Sequence, residues 1–487
     1  SNKGFNTLFE EHCNSWHKKW EKCDIKIEGD IEAQQGIRFN IFQLNQTYTG
    51  EDERLNIGPK GFTGEKYGGG TYWDTEAFCF PFYLCTSNQN VARNLLLYRY
   101  KQLPKAIENG QKLGFTDGAA LFPMVTVNGE ECHNEWEITF EEIHRNGAIA
   151  YAIYNYIRHT DDEEYLAKYG LEVLIAISRF WKQRVNFSSV KNKYVILGVT
   201  GPNEYENNVN NNWYTNYIAR WTLQYTIDVI DLVKSKYIDI YNSLIKKINF
   251  DESKEIKVWK NIIDNLYLPI IENTNIFLQQ EGYLDKEMLT SKDIPQDQRP
   301  INQHWSWDRI LRSCFIKQAD VIQGIYFFID QFTFDQVKEN FYFYEPKTVH
   351  ESSLSPSIYS VVASHIGDIN KAYELYLRTS RLDLDDYNNE VCEGLHITSM
   401  AGTWLSIVEG FARKRIKNGK LSLSPLIVPK WKSYNFKIQY RSQIIEIDVS
   451  KENIKIINHS NRPIEIYMFD DLKKINANDT IIHSLTK

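Results

Sequence analysis

From residue 31 to about 413 the chain repeats one pattern: apolar residues recur at three- and four-residue steps, separated by loops of uneven length. That spacing collects apolar side chains on one face of an α-helix. It marks segments 31–44, 74–84, 90–113, 138–159, 165–185, 210–234, 256–271, 303–316, 318–332, 356–366, 369–381 and 397–411, about twelve helices in succession. No repeat of roughly 34 to 47 residues runs through them, which disfavours a solenoid and leaves a closed toroid of paired helices. After residue 420 the period changes to two, in 436–440, 445–449, 454–456 and 464–467. Apolar residues alternating with polar ones predict half-buried antiparallel strands. Ahead of both parts, Phe5, Leu8, Phe9, His12, Trp16 and Trp20 share a helical face, and 24–28 alternates. The expected division is a connector helix and linker over 1–30, helices over 31–413, and a small β domain over 414–487.

Composition narrows the function classes. The 56 basic and 63 acidic residues leave a net charge of −7 and form no basic block, so nucleic acid is a poor candidate partner. The seven cysteines are scattered without a C-x-x-C pair, which suggests neither a disulfide framework nor a thiolate zinc site. No run reaches the ~18 apolar residues of a membrane helix, and the first residues carry no hydrophobic signal region. The expectation is a soluble protein of the reducing cytoplasm with no membrane partner. Aromatic residues make up 14% of the chain, a surplus that serves both as core and for stacking on sugars.

Several positions have the chemistry of a site. Glu204 follows Gly201-Pro202-Asn203 between a strand-like run and a helix, beside Tyr205 and under the amides Asn207, Asn208, Asn210, Asn211 and Asn212. A carboxyl desolvated there keeps its proton near neutral pH and serves as a general acid. Taken alone, the same residues read equally as a surface carboxylate and a solvated cap. Trp73-Asp74 follows Gly68-Gly69-Gly70 and opens a helix. A ring and a neighbouring carboxylate grip a hexose, although a core Trp and an N-cap Asp look the same in sequence. His350-Glu351-Ser352-Ser353 and His396-Ile397-Thr398-Ser399 each start a helix, where unpaired N–H groups favour an anion. With Arg38, and with Lys317-Gln318, they have the makings of a phosphate site; a ligand-free capping box explains either histidine segment by itself.

Segments 38–44, 56–69, 73–76, 201–205, 350–353 and 396–404, in that order, resemble the family-65 glycoside hydrolases across nearly the whole chain. The resemblance implies a mainly α fold, an (α/α)6 barrel followed by a small C-terminal antiparallel β-sandwich domain. Members of that family carry a large N-terminal β-sandwich ahead of the connector, so the expectation is a truncated or fragmentary form with Trp16 and Trp20 at an exposed apolar patch. Site residues follow position by position. Glu204 matches the general acid, and Trp73, Asp74, Lys317 and Gln318 match the grip on the transferred glucosyl unit. Arg38, Ser352, Ser353 and His396 match the phosphate site, supported by His350. Segment 129–135 lies where the leaving sugar is read, with His133 and Glu135 as its contacts.

The implied reaction is inverting phosphorolysis of an α-glucosidic disaccharide, maltose first, giving β-glucose 1-phosphate and glucose. Phosphate is itself a nucleophile, so the face opposite Glu204 needs donors and cations rather than a second carboxylate. No metal or organic cofactor is called for; inorganic phosphate is the co-substrate. Disaccharide and phosphate are the expected partners, together with a homodimer. Trehalose or kojibiose as the substrate, glucoamylase-like hydrolysis, and an inactive sugar-binding fragment are the alternatives.

Overall fold

A computed structural model gives the structure of the chain and describes residues 3–133 and 136–485. Helix α1 (Phe5–Cys23) and strand β1 (Ile25–Glu28) precede α2 (Ile31–Thr47), α3 (Phe80–Thr86), α4 (Gln89–Lys101), α5 (Arg145–Thr160) and α6 (Leu171–Arg184). A hairpin, β2 (Asn186–Ser188) and β3 (Lys193–Val195), leads to α7 (Trp213–Lys236) and α8 (Glu252–Asn265). After a long excursion come α9 (Val321–Phe327), α10 (Phe334–Tyr344), α11 (Ser355–Ile366), α12 (Ile369–Ser380) and α13 (Ile397–Leu405).

Burial sorts α2 to α13 into two rings. All residues of α3, α9 and α13 are buried, and α5, α7 and α11 are nearly so on their packed faces. Each of these six packs against the next, and α13 closes on the π-helical turn Thr75–Cys79 that leads into α3. Between them α2, α4, α6, α8, α10 and α12 form the outer layer. An (α/α)6 barrel results. Side-chain caps set where helices begin: Asp30 accepts from the Ala33 N–H at 3.1 Å and Asn212 from the Thr215 N–H at 2.8 Å.

Several expected helices break, 138–159 between Glu141 and Arg145 among them, and two do so for a plain local reason. The segment 90–113 stops at Lys101 and restarts at Leu103, because Pro104 has no N–H to donate and suits only a first turn. The segment 303–316 yields two short helices, Ile301–His304 and Trp307–Arg312, because Ser306 accepts from the Arg309 N–H at 3.3 Å and starts a new turn.

The C-terminal part holds β4 (Arg415–Lys417), β5 (Lys420–Leu423), β6 (Ser433–Tyr440), β7 (Gln443–Ser450), β8 (Asn453–Asn458), β9 (Ile464–Met468), β10 (Asp471–Ile475) and β11 (Thr480–Ser484). They form a five-stranded sheet, β1-β6-β7-β8-β11, and a four-stranded sheet, β10-β9-β5-β4. Strand β1 belongs to the first sheet, with Ile25 opposite Phe436 and Ile27 opposite Tyr434. Ile25 and Ile27 are buried there, so the alternation at 24–28 reports a real edge strand and not a linker. One pair departs from antiparallel order: β5 and β9 run parallel, since β6, β7 and β8 lie in the other sheet and the chain crosses back before β9. On α1, Phe5 is 78% and Phe9 56% exposed, whereas Trp16 stacks on Phe42 with centroids 4.9 Å apart and, like Trp20, is half-buried. Among the described residues no helix is long and apolar enough to cross a membrane.

Candidate active site

The loop of Glu204 hangs on a buried carboxylate. Val199 and Val209 exchange backbone hydrogen bonds of 2.9 and 2.8 Å and pinch off residues 200–208. Asp320, just before α9, accepts from Asn203 N–H at 3.2 Å and from Asn212 Nδ2 at 3.0 and 3.1 Å. Gly201 leaves the room for this: a Cβ on it would lie 2.3 Å from both Asn212 Nδ2 and Asp320 Oδ2. Asn203 Oδ1 in turn accepts from the backbone N–H of Lys317 at 2.9 Å and of Tyr205 at 3.3 Å. Burial pushes the Asp320 carboxyl up to about 7, against the hydrogen bond from Asn212. The asparagine run shapes the backbone here: Asn208 and Asn211 adopt φ of 51° and 53°, and Asn212 caps α7.

Glu204 Oε2 accepts from Lys317 Nζ at 2.6 Å and Oε1 from Gln318 Nε2 at 2.9 Å. Its side chain is 33% exposed, so the carboxylate is reachable from solvent. Its charge is felt by Asp74, whose buried carboxyl is pushed up to about 6 by burial, opposed by the 2.6 Å hydrogen bond from Thr398 Oγ1 and reinforced by that same charge. Trp73 is buried next to it, its ring edge-on to that of His144 at 4.7 Å. Sequence reasoning missed Glu142, a buried carboxyl whose Oε1 has no hydrogen-bond partner among the described residues. Burial and then the Glu204 charge hold it well above the usual carboxylate range. The adjacent Glu141-Glu142 at a helix entry was the available sequence signal.

A cavity of about 440 Å³ opens nearby between Tyr67, Tyr72, Val125, Val127, Cys132 and His133. It contains one of the two residues expected to read the leaving sugar; the other, Glu135, lies outside the described residues.

The phosphate candidates divide. Tyr205 donates to Glu351 Oε2, and the Ile301 N–H donates to Glu351 Oε1 at 2.7 Å, so the loop of Ser352 and Ser353 is tethered to the residue beside Glu204. His350 is half-buried, and its imidazole is held down to about 3 by desolvation and then by Arg378; its Nδ1 lies 2.8 Å from Ser355 Oγ. His396 immediately precedes α13, which carries Thr398 to Asp74. Its Nδ1 lies 2.6 Å from Asp383, and its Nε2 lies 3.1 Å from Lys60 Nζ and 3.2 Å from Glu390. Burial opposes charge on this imidazole, yet the two carboxylates prevail and its pKa rises.

Arg38 is not brought to this group. It forms a two-point pair with Asp24, at 3.0 and 2.8 Å, in a groove with Trp20, Gln35, Phe39 and Phe42 on the outer face of α2. The physical reason is periodicity: Ile37, Ile41 and Leu44 are the buried stripe, and residue 38 falls outside it. The guanidinium beside the serine loop is Arg378, on the last turn of α12, which donates to the His350 carbonyl at 2.8 Å and lies 3.7 Å from the Tyr387 ring centroid.

Residues 38–405 match the central catalytic domain of glycosyl hydrolase family 65. The chain belongs to this family. Residues 415–473 match the family-65 C-terminal domain. Maltose phosphorylase of Bacillus subtilis (strain 168) is 53% identical over 471 residues, which cover 96% of this chain and 60% of that protein. Alpha,alpha-trehalose phosphorylase of Thermoanaerobacter brockii is 39% identical over 97% of this chain and 60% of its own length. A solved structure, named for kojibiose phosphorylase and drawn from the human microbiome, superimposes with a TM-score of 0.94 at 36% identity, covering 100% of this chain and 70% of its own. The chain thus spans about 60% of the length of these curated relatives.

Proposed function

We propose that the chain carries the catalytic centre of an inverting phosphorylase that cleaves maltose with inorganic phosphate, releasing β-glucose 1-phosphate and glucose. Glu204 is the general acid for the departing glucose. Trp73, Asp74, Lys317 and Gln318 hold the transferred glucosyl unit, and His133, with Glu135, reads the leaving sugar. Phosphate attacks from the side of Ser352, Ser353 and His396, with His350 as support; Arg378 takes the cationic part first expected of Arg38. Residues 31–413 do this chemistry, while 1–30 and 414–487, which share a sheet, buttress them. A homodimer in the cytoplasm belongs to the same reading.

The observation that carries the proposal is the link Tyr205–Glu351, which ties the serine loop at the start of α11 to the loop of the acid. Both oxygens of Glu351 are engaged, by Tyr205 and by the Ile301 N–H, so this carboxylate is a strut and not a base for water. Hydroxyls, helix N–H groups and an imidazole are what a tetrahedral oxyanion needs. Maltose is favoured over trehalose by the 53% against 39% identity of the relatives named for each. The test is glucose release from maltose, trehalose and kojibiose, each with and without phosphate. Phosphate-dependent release from maltose is expected; preference for another disaccharide overturns the choice of sugar, and sugar binding without any turnover overturns the activity.

A further inference from the structure

We propose that Glu390 is a built-in competitor for phosphate, its carboxylate standing where the anion binds His396. The inference rests on the reading of His396 as a phosphate ligand. Asp383 fixes the imidazole from behind: Oδ1 lies 2.6 Å from Nδ1, and Oδ2 accepts from the His396 backbone N–H at 2.8 Å. The Nδ1 proton is thereby committed, and only Nε2 is left for a ligand. Facing Nε2 are Lys60 Nζ at 3.1 Å and Glu390 Oε2 at 3.2 Å. With the imidazole charged, two cationic nitrogens lie side by side and require a shared anion. Glu390 supplies one carboxylate; phosphate would supply more charge and more acceptor oxygens.

The placement of Glu390 follows from its loop. Residues 381–396 return from α12 to α13 and clasp the loop 58–70 backbone to backbone. A Cβ on Gly64 would lie 2.2 Å from the Glu393 carbonyl oxygen, and one on Gly394, at φ 103°, would lie 2.8 Å from Gly64 Cα. Lys60 Nζ also donates to the Gly394 carbonyl at 2.8 Å, and Lys66 pairs with Glu393. The clasp holds the backbone of Glu390 beside Nε2, while its side chain is 35% exposed and free to turn outward by rotamer change alone. The His396 imidazole is thus kept paired until phosphate arrives, and a displaced Glu390 still repels the newcomer.

Titration calorimetry of inorganic phosphate at fixed ionic strength, with Glu390→Gln and Glu390→Ala beside the unaltered chain, tests this. Both variants are expected to bind phosphate about three- to tenfold more tightly, the scale of a partly exposed ion pair. Equal affinity in all three proteins, or weaker binding in the variants, overturns the role of Glu390 and leaves the phosphate reading in place. No phosphate binding by any of the three, when each unfolds cooperatively and binds glucose, overturns the phosphate reading and the competitor with it.

Discussion

Glu204 sits in a crowded place, paired to Lys317 at 2.6 Å, with the carboxyls of Asp74 and Glu142 close enough to feel its charge. A glucose oxygen leaves poorly without a proton, so Glu204→Gln should keep the fold and the glucose affinity while kcat falls by about 10²–10⁴-fold or more, read by steady-state kinetics. Asp74 gives a pH dependence of definite sign. Its folded pKa, about 6, lies above the usual carboxylate value, so the stability it contributes is present at low pH and is lost as pH rises towards 6. Sugar hydroxyls donate to the charged form, so affinity runs the other way: glucose binding should weaken as pH drops through about 6, and Asp74→Asn should flatten that step in calorimetric titrations. At this scale adjacency in the sequence carries over where neighbours are local: Trp73 lies beside Asp74, and Lys317 and Gln318 both reach Glu204. It misled for Arg38, whose motif pointed inward while the helical period of Ile37, Ile41 and Leu44 pointed it out to Asp24. Arg378 and Asp320 were silent, because each acts on a loop far away in the chain.

Loops and helices are joined by those distant bonds. The turn at Gly201 is legible as Gly-Pro, but its partner, the Asp320 carboxylate, becomes visible only when α7 and α9 stand side by side. Gly201→Ala should therefore cost about 1–3 kcal/mol in denaturant unfolding, since the new Cβ lands on Asn212 and Asp320, and should lower kcat more than glucose affinity by shifting Glu204. An unchanged kcat would separate the turn from the placement of the acid. Helix periodicity located most of the ring because each helix buries a stripe. It failed at Pro104 and Ser306, where a missing donor and a side-chain cap outweigh apolar spacing.

Over the whole molecule, the ends of the chain hold each other. Asp30 caps α2, takes the Trp431 Nε1–H at 3.2 Å and accepts from Tyr373 on α12, while the buried Trp431 ring packs against Phe411 and Tyr376 of the barrel and Tyr434 of the sheet. Barrel and sheet should accordingly unfold in one calorimetric transition, and Trp431→Ala, at a cost of about 3–5 kcal/mol, should split or lower it. The switch of period near residue 420 made two parts legible in sequence; the sharing of β1 between them was not, since register depends on β6, some four hundred positions away. What the assembled molecule is for turns on the nucleophile. The direct measurement is proton and phosphorus NMR of the chain turning over maltose, with and without phosphate. β-Glucose 1-phosphate and glucose are expected in equal amounts, with no turnover in phosphate-free buffer; free glucose formed at the same rate without phosphate would contradict phosphorolysis and make the site hydrolytic.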